Sequence, residues 1–79
     1  MINEKDLLLK IEEALELPKN SISPDSSSKN IENWDSLGQL SILSALDEVF
    51  EGAIADIPEI ANSYSVSSIS AVLKDNKLI

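Results

Sequence analysis

Residues 33–52 read NWDSLGQLSILSALDEVFEG, and their composition changes at Ser36 from that of a polar loop to that of a helix. After Ser36 the apolar side chains recur at the spacing of one helical face. This face places Ile42 beside a stripe of Leu43, Leu46, Val49 and Phe50. Gly52 lies just past the last of them, where a glycine is favoured after a helix. The pattern predicts a helix of about four turns that begins near Ser36.

Towards the N-terminus, a second apolar pattern predicts a helix over residues 4–16. Asn3 is a suitable N-cap, and the inward positions are Leu7, Leu8, Ile11, Ala14 and Leu15. Pro18 ends this helix, because the residue before a proline is pushed towards extended geometry. Residues 18–35 are rich in Pro, Ser, Asn and Asp, which predicts a long loop anchored by Ile22, Ile31 and Trp34.

Towards the C-terminus, two further helices are expected. The run Asp56-Ile57-Pro58-Glu59 resembles a capping box and predicts a short helix over residues 57–62. Ser65 or Ser67 then caps a last helix that reaches Asn76. The 79 residues contain no strand signal, so we expect one all-α domain over residues 1–79. The expected fold is a small four-helix bundle with a long loop between helices 1 and 2 and a short third helix.

The composition excludes several classes of function. The chain has no Cys and no His, so disulfides, thiolate metal sites and histidine-based catalysis are out. No other set of side chains suggests a catalytic or metal site, and we expect a protein that is not an enzyme. The N-terminus is amphipathic and lacks the basic start of a signal peptide, which favours a cytoplasmic location.

The charge is acidic and uneven. Six basic residues face fourteen acidic ones, for a net charge of −8, and residues 30–73 hold seven acids and no Lys or Arg. Nucleic acids and anionic membranes favour clusters of Lys and Arg, so neither is an expected partner. We expect basic protein surfaces instead.

Ser36 has two structural interpretations that the sequence leaves open. Ser36 can be the N-cap of the helix, with Gln39 completing a capping box. Alternatively, Asp35 is the N-cap and Ser36 is the first helical residue. Neither interpretation requires any function beyond starting the helix.

Taken together, these features resemble the acyl carrier proteins of fatty-acid and polyketide synthesis over essentially the whole chain. The resemblance lies in Asp35-Ser36-Leu37 at the start of a four-turn helix, the long anchored loop before it, the short third helix and the acidic composition. It implies that a phosphopantetheinyl transferase, acting with Mg²⁺, attaches 4'-phosphopantetheine from coenzyme A covalently to Ser36. The thiol of this arm would carry acyl groups as thioesters. Asp35 would assist recognition by the transferase and its metal.

The resemblance also implies partner contacts and an acyl-binding space. A monomeric carrier would present Leu37, Leu40, Asp47, Glu48 and Glu51 to an acyl ligase, synthase or acyltransferase with a basic docking surface. The acyl chain would lie among Ile42, Leu46, Ile54 and Ile60. Without this function, the two leucines pack under the loop against Trp34, the acids form a solvated face, and the four apolar residues are ordinary core.

Two departures from the family pattern suggest a dedicated pathway. General fatty-acid carriers usually have acids early in the helix after the serine, where this chain has Gly38, Gln39 and Ser41, and Trp34 replaces a small residue. Gly38 costs a helix about 0.5–1 kcal/mol relative to Ala, so we expect a reason other than helix propensity for it. An aminoacyl or peptidyl carrier and an unmodified carrier-like interaction module are the alternatives.

Overall fold

The computed structural model describes residues 3–79, and in this part of the chain it has three α-helices. They are α1 (Glu4–Ala14), α2 (Ser36–Val49) and α3 (Val66–Asp75). Two 3₁₀ segments, Ala53–Asp56 and Pro58–Asn62, connect α2 to α3. The described residues contain no strand, and an isolated bridge pairs Ser27 with Ser65.

The prediction of a four-helix bundle is therefore wrong, because the expected third helix is a pair of 3₁₀ segments. In place of i→i+4 bonds, the backbone N–H groups of Ile57, Ile60 and Ser63 donate to the third residue before each of them. Neither segment has a side-chain cap, so the capping box expected at Asp56 does not form. Five residues that begin with Pro58, which lacks an N–H, are too few for a stable α-helix.

All three α-helices begin with a side-chain cap. Asn3 and Asp6 form a reciprocal capping box at α1. At α2 the side chain of Asp35 accepts from the Gly38 N–H, and at α3 that of Ser65 accepts from the Ser68 N–H. These caps satisfy backbone donors that lack partners inside the helix.

The same three helices end in a common motif without glycine at its left-handed position. Glu16, Glu51 and Lys77 have φ angles of 57°, 55° and 59°. In each case the next N–H bonds back to a carbonyl five residues earlier, from Leu17 to Glu12 in α1 at 2.9 Å. This Schellman arrangement ends α1 at Ala14, two residues before the predicted end.

The helices and the 3₁₀ segments enclose one apolar core. Its members come from every element and from the long loop: Leu7, Ile11, Leu15, Ile22, Trp34, Ile42, Leu46, Ile54, Ile57, Ile60, Val66, Ile69 and Leu73. The inward line of α2 runs through Ile42 and Leu46. Leu43, Val49 and Phe50 are only partly buried, so the predicted stripe was displaced to one side.

The loop between α1 and α2 is fixed along its length. Ile22 and Trp34 are buried and Ile31 packs against the core, as predicted. The buried carboxylate of Glu12 accepts from the Ile22 N–H at 3.0 Å. Further along, the Ser28 N–H donates to the Tyr64 carbonyl at 2.9 Å. These contacts hold the loop against α1 and the start of α3, and the loop in turn positions the start of α2.

Candidate functional site

The start of α2 presents an exposed serine hydroxyl. Asp35 is the N-cap, and its Oδ1 accepts from the Gly38 N–H at 2.9 Å. Ser36 is the first helical residue, is exposed, and forms no side-chain hydrogen bond with any residue from 3 to 79. The structure therefore selects the second of the two interpretations. Because Asp35 performs the capping, the Ser36 hydroxyl has no structural role in the described part of the chain.

Gly38 is required by close packing at this turn. A Cβ on Gly38 would lie far inside van der Waals contact of the Asn33 carbonyl oxygen and 2.8 Å from Leu15 Cδ2. The end of α1, the loop and the first turn of α2 thus meet at a point with no room for a side chain. Gly38 lets the loop approach α2 closely, and this approach fixes the position of Asp35 and Ser36.

Gln39 is buried and does not form the alternative capping box. The Trp34 indole N–H donates to Gln39 Oε1 at 2.6 Å, and Gln39 Nε2 donates to the Ser63 carbonyl at 2.9 Å. Nε2 also lies within hydrogen-bond distance of the Ile60 and Ala61 carbonyls, at 3.3 and 3.4 Å. Gln39 therefore joins the loop, α2 and the second 3₁₀ segment through one buried amide.

The outward side of α2 carries two leucines in contact with water. Leu37 is 74% exposed and Leu40 is 61% exposed, so neither packs under the loop against Trp34. Helical geometry places Ser36, Leu40, Leu43, Ser44 and Asp47 on one side of α2, within a sector of about 100°. We call these five residues the outward stripe.

An open cleft adjoins the far end of the outward stripe. Its volume is about 330 Å³, and it lies between α2 and the two 3₁₀ segments. Of the four residues predicted to line an acyl pocket, Ile54 and Ile60 border this cleft. Ile42 and Leu46 do not: both have no exposed surface and belong to the core. The remaining lining residues are Leu43, Ser44, Asp47, Ala55, Ile57, Pro58 and Ala61.

The three acids predicted to contact partners have different surroundings. Asp47 accepts from the Ala55 N–H at 3.2 Å and so helps to fix the first 3₁₀ segment. Glu48 borders a depression against α1 that Lys10 and Glu13 also line. Glu51 is exposed at the end of α2, and none of the three forms a salt bridge within residues 3–79. The two ion pairs in that range, Lys10–Glu13 and Lys74–Glu4, involve α1 and α3.

A second acid close to the serine was not anticipated. Glu16 and Asp35 both line a polar depression of about 410 Å³ beside the start of α2, together with Asn33 and Ser41. The Asn33 side chain donates to the Leu15 carbonyl at 3.0 Å, which draws the end of α1 to this place. The sequence gives no signal for it, because Glu16 and Asp35 become neighbours only when the loop folds back.

No protein-family model matches the chain, and no significant match was found among curated proteins or solved structures. Within residues 3–79, no helix combines the length and apolar character needed to cross a membrane. The same range contains no group of three or more Asp and Glu side chains placed to hold a metal ion.

Proposed function

We propose that this chain is a carrier protein that holds acyl groups as thioesters on a 4'-phosphopantetheine arm attached to Ser36. The observation that carries the proposal is the exposed Ser36 hydroxyl, which Asp35 leaves free by capping α2 in its place. An arm needs an attachment point that is rigid at its base and open to a modifying enzyme. Ser36 meets both requirements, because Gly38 and the anchored loop fix the backbone beneath it.

The surroundings of Ser36 fit the phosphate of such an arm. The backbone N–H groups of Ser36 and Leu37 belong to the first turn of α2 and have no acceptor inside the helix. The helix dipole also favours an anion here. Asp35 directly precedes Ser36 and lines one depression with Glu16, and carboxylates suit the Mg²⁺ of a transferase. The arm would supply the thiol that this chain, without Cys, does not have.

The transfer itself requires a partner enzyme. The chain has no His, and the Ser36 hydroxyl has no hydrogen-bonded base within the described residues. A phosphopantetheinyl transferase would remove the hydroxyl proton as the Ser36 oxygen bonds to phosphorus and the nucleotide half of coenzyme A leaves. This division of labour agrees with a carrier that is not itself an enzyme.

The side chains of α2 and of its C-terminal end support recognition by acyl ligases, synthases or acyltransferases. Leu37 and Leu40 offer apolar contacts, and Asp47, Glu48 and Glu51 offer negative charge for a basic docking surface. The pathway would be one of fatty-acid, polyketide or more specialised acyl metabolism. A monomeric state and a cytoplasmic location belong to the same proposal.

A second candidate is a docking module that is never modified. Large exposed leucines beside acids also suit an unmodified protein–protein contact, and this interpretation does not need Ser36. An aminoacyl or peptidyl carrier would share the site with an acyl carrier and differ only in cargo.

The mass of the intact protein separates the two classes. The protein is incubated with coenzyme A, Mg²⁺ and a broad-specificity phosphopantetheinyl transferase. We expect the addition of one phosphopantetheine, which is lost in Ser36→Ala. The matched control is Ser44→Ala, a second exposed serine of α2, and it should gain the arm like the native protein. No gain with several transferases would favour the docking module.

A further inference from the structure

Gln39 closes the interface between α2 and the second 3₁₀ segment. Its side chain is 3% exposed and lies one turn after Ser36. Its amide donates to carbonyls at the C-terminal end of the 3₁₀ segment, with the shortest bond to Ser63. Its oxygen accepts from the indole of Trp34, which is itself buried in the core. One side chain thus holds the 3₁₀ segment and the loop against the first turn of α2.

Gln39 follows Ser36 by three residues, so these bonds close the interface one helical turn along α2 from the serine. A chain attached to Ser36 would reach Ile42 and Leu46 by separating α2 from the second 3₁₀ segment. Separation would leave the Gln39 amide N–H groups and the carbonyls that they bond without partners among apolar side chains, which is unfavourable. The open cleft, by contrast, needs no separation. It adjoins Leu43 and Ser44, about 11 Å along α2 from Ser36.

We infer that Gln39 is a specificity-determining residue that keeps the cargo away from Ile42 and Leu46, so that this carrier serves short or polar acyl groups. Such groups lose little by remaining in an open cleft, whereas a long alkyl chain left in water is unfavourable in proportion to its apolar area. Seven of the nine residues that line the cleft are apolar, and Ser44 and Asp47 are the polar two, so the cleft can contact an acyl group but leaves it open to water. This inference rests on the proposed carrier function.

The first experiment uses the native sequence and two cargoes. The protein is loaded by the transferase from octanoyl-coenzyme A and, separately, from acetyl-coenzyme A. Nuclear Overhauser contacts are then measured between the octanoyl chain and the methyl groups of the protein. We expect contacts with cleft residues such as Ile54 and Ala55, or none, and no contact with Ile42 or Leu46. Contacts with Ile42 or Leu46 in the native protein would overturn the inference.

The second experiment removes the closing bonds. Gln39→Met preserves the length of the side chain but offers neither amide donor nor carbonyl acceptor. We expect the octanoyl chain to contact Ile42 and Leu46 in this variant. We also expect its thioester to react more slowly with hydroxylamine than in the native protein, when each rate is divided by that of the acetyl form. A folded and loaded Gln39→Met protein without these changes would contradict the role of Gln39.

The matched control weakens the same 3₁₀ segment without touching Gln39. Ser63→Ala removes the hydrogen bond from Ser63 Oγ to the Glu59 carbonyl, at 3.2 Å, and leaves the Ser63 carbonyl in place. It should behave like the native protein, and entry of the octanoyl chain into its core would show that Gln39 does not close the interface. If Gln39→Met does not fold, the native experiment decides alone. Failure of the proposed function is distinct, because no mass would be added at Ser36.

Discussion

Each side of α2 carries an exception to the usual distribution of polar and apolar residues. The inward side buries Gln39 between Gly38 and Ile42, and the outward side leaves Leu37 and Leu40 in water. A buried amide is tolerated because each of its polar atoms has a partner, and exposed leucines are informative because folding does not need them there. In this helix, residue type alone does not tell which side chains belong to the core and which to the candidate site. Their burial and hydrogen-bond partners do.

The largest expected effect is the difference between two leucines of α2 that lie on opposite sides. Leu46→Ala should lower the free energy of unfolding by about 2–5 kcal/mol, because Leu46 is fully buried and a cavity would remain. Leu40→Ala, at an exposed position, should change it by less than about 0.5 kcal/mol. Urea unfolding of both variants measures the difference. Similar midpoints for the two variants would mean that the sides of α2 are assigned wrongly.

The next largest change in the free energy of unfolding is expected at Gly38, and its sign is opposite to the one that helix propensity predicts. Gly→Ala inside a helix normally stabilises by up to about 1 kcal/mol. Here the added Cβ meets the Asn33 carbonyl and Leu15, so Gly38→Ala should destabilise by about 1–3 kcal/mol. Ser41→Ala, on the exposed side of the same helix, is the control and should be neutral or slightly stabilising. A Gly38→Ala protein more stable than the native protein would contradict the close approach of the loop to α2.

Gly38 also shows where prediction from the sequence reached its limit. The sequence left open whether Leu37 and Leu40 are exposed. The pattern of apolar residues predicts the three α-helices and the loop anchors Ile22 and Trp34. These features depend on local spacing. The closeness of Gly38 to Leu15, the bond from Gln39 to Ser63 and the depression shared by Glu16 and Asp35 join residues distant in sequence, for which spacing carries no signal.

The errors at helix ends have a similar cause. Glu16 has the left-handed backbone conformation that usually falls on a glycine after a helix. Because no glycine marks this position, the sequence predicts α1 two residues too long. The 57–62 segment carries an acceptable capping sequence, but Ile57 and Ile60 are both buried over a span too short for α-helical turns. The segment forms no side-chain cap, and five residues that begin with Pro58 are too few for an α-helix.

The cap of α2 allows two adjacent residues to be compared, with a smaller expected change in stability. Asp35→Ala should lower the free energy of unfolding by about 1 kcal/mol, because the Gly38 N–H loses its acceptor. Ser36→Ala should change it by less than about 0.5 kcal/mol, since the hydroxyl has no partner in residues 3–79. Thermal unfolding of the unmodified proteins measures both. A larger loss in Ser36→Ala than in Asp35→Ala would return Ser36 to the role of cap and weaken the carrier proposal.

Charge on the outward side predicts a response to salt. The acids between residues 30 and 73 have no cation among them, so added salt or divalent cations should stabilise the unmodified protein by reducing repulsion. The effect should stay below about 1 kcal/mol, which for a domain of this size raises the Tm by less than about 4–8 °C. The double variant Glu48→Gln/Glu51→Gln should show a smaller rise. A Tm that does not depend on salt would contradict the clustered-charge description.

The smallest expected effect concerns Glu4, the first residue of α1, which has a side-chain hydrogen bond and an ion pair. Ser70 Oγ donates to Glu4 Oε1 at 2.9 Å and Lys74 Nζ lies 3.2 Å from the same oxygen. The Ser70 hydrogen bond, followed by the bond and charge of Lys74, lowers the pKa of Glu4. Because the folded-state pKa lies below the unfolded value of about 4.3, Glu4 contributes stability above that pH and loses it as pH falls through the lowered pKa. Lys74→Met should therefore reduce the loss of stability on acidification, measured by urea unfolding at a series of pH values.

Lys77→Met removes the same charge two residues after the end of α3, without a contact to Glu4, and serves as the control. Equal pH profiles for the two variants would mean that the Lys74–Glu4 contact is not maintained in solution.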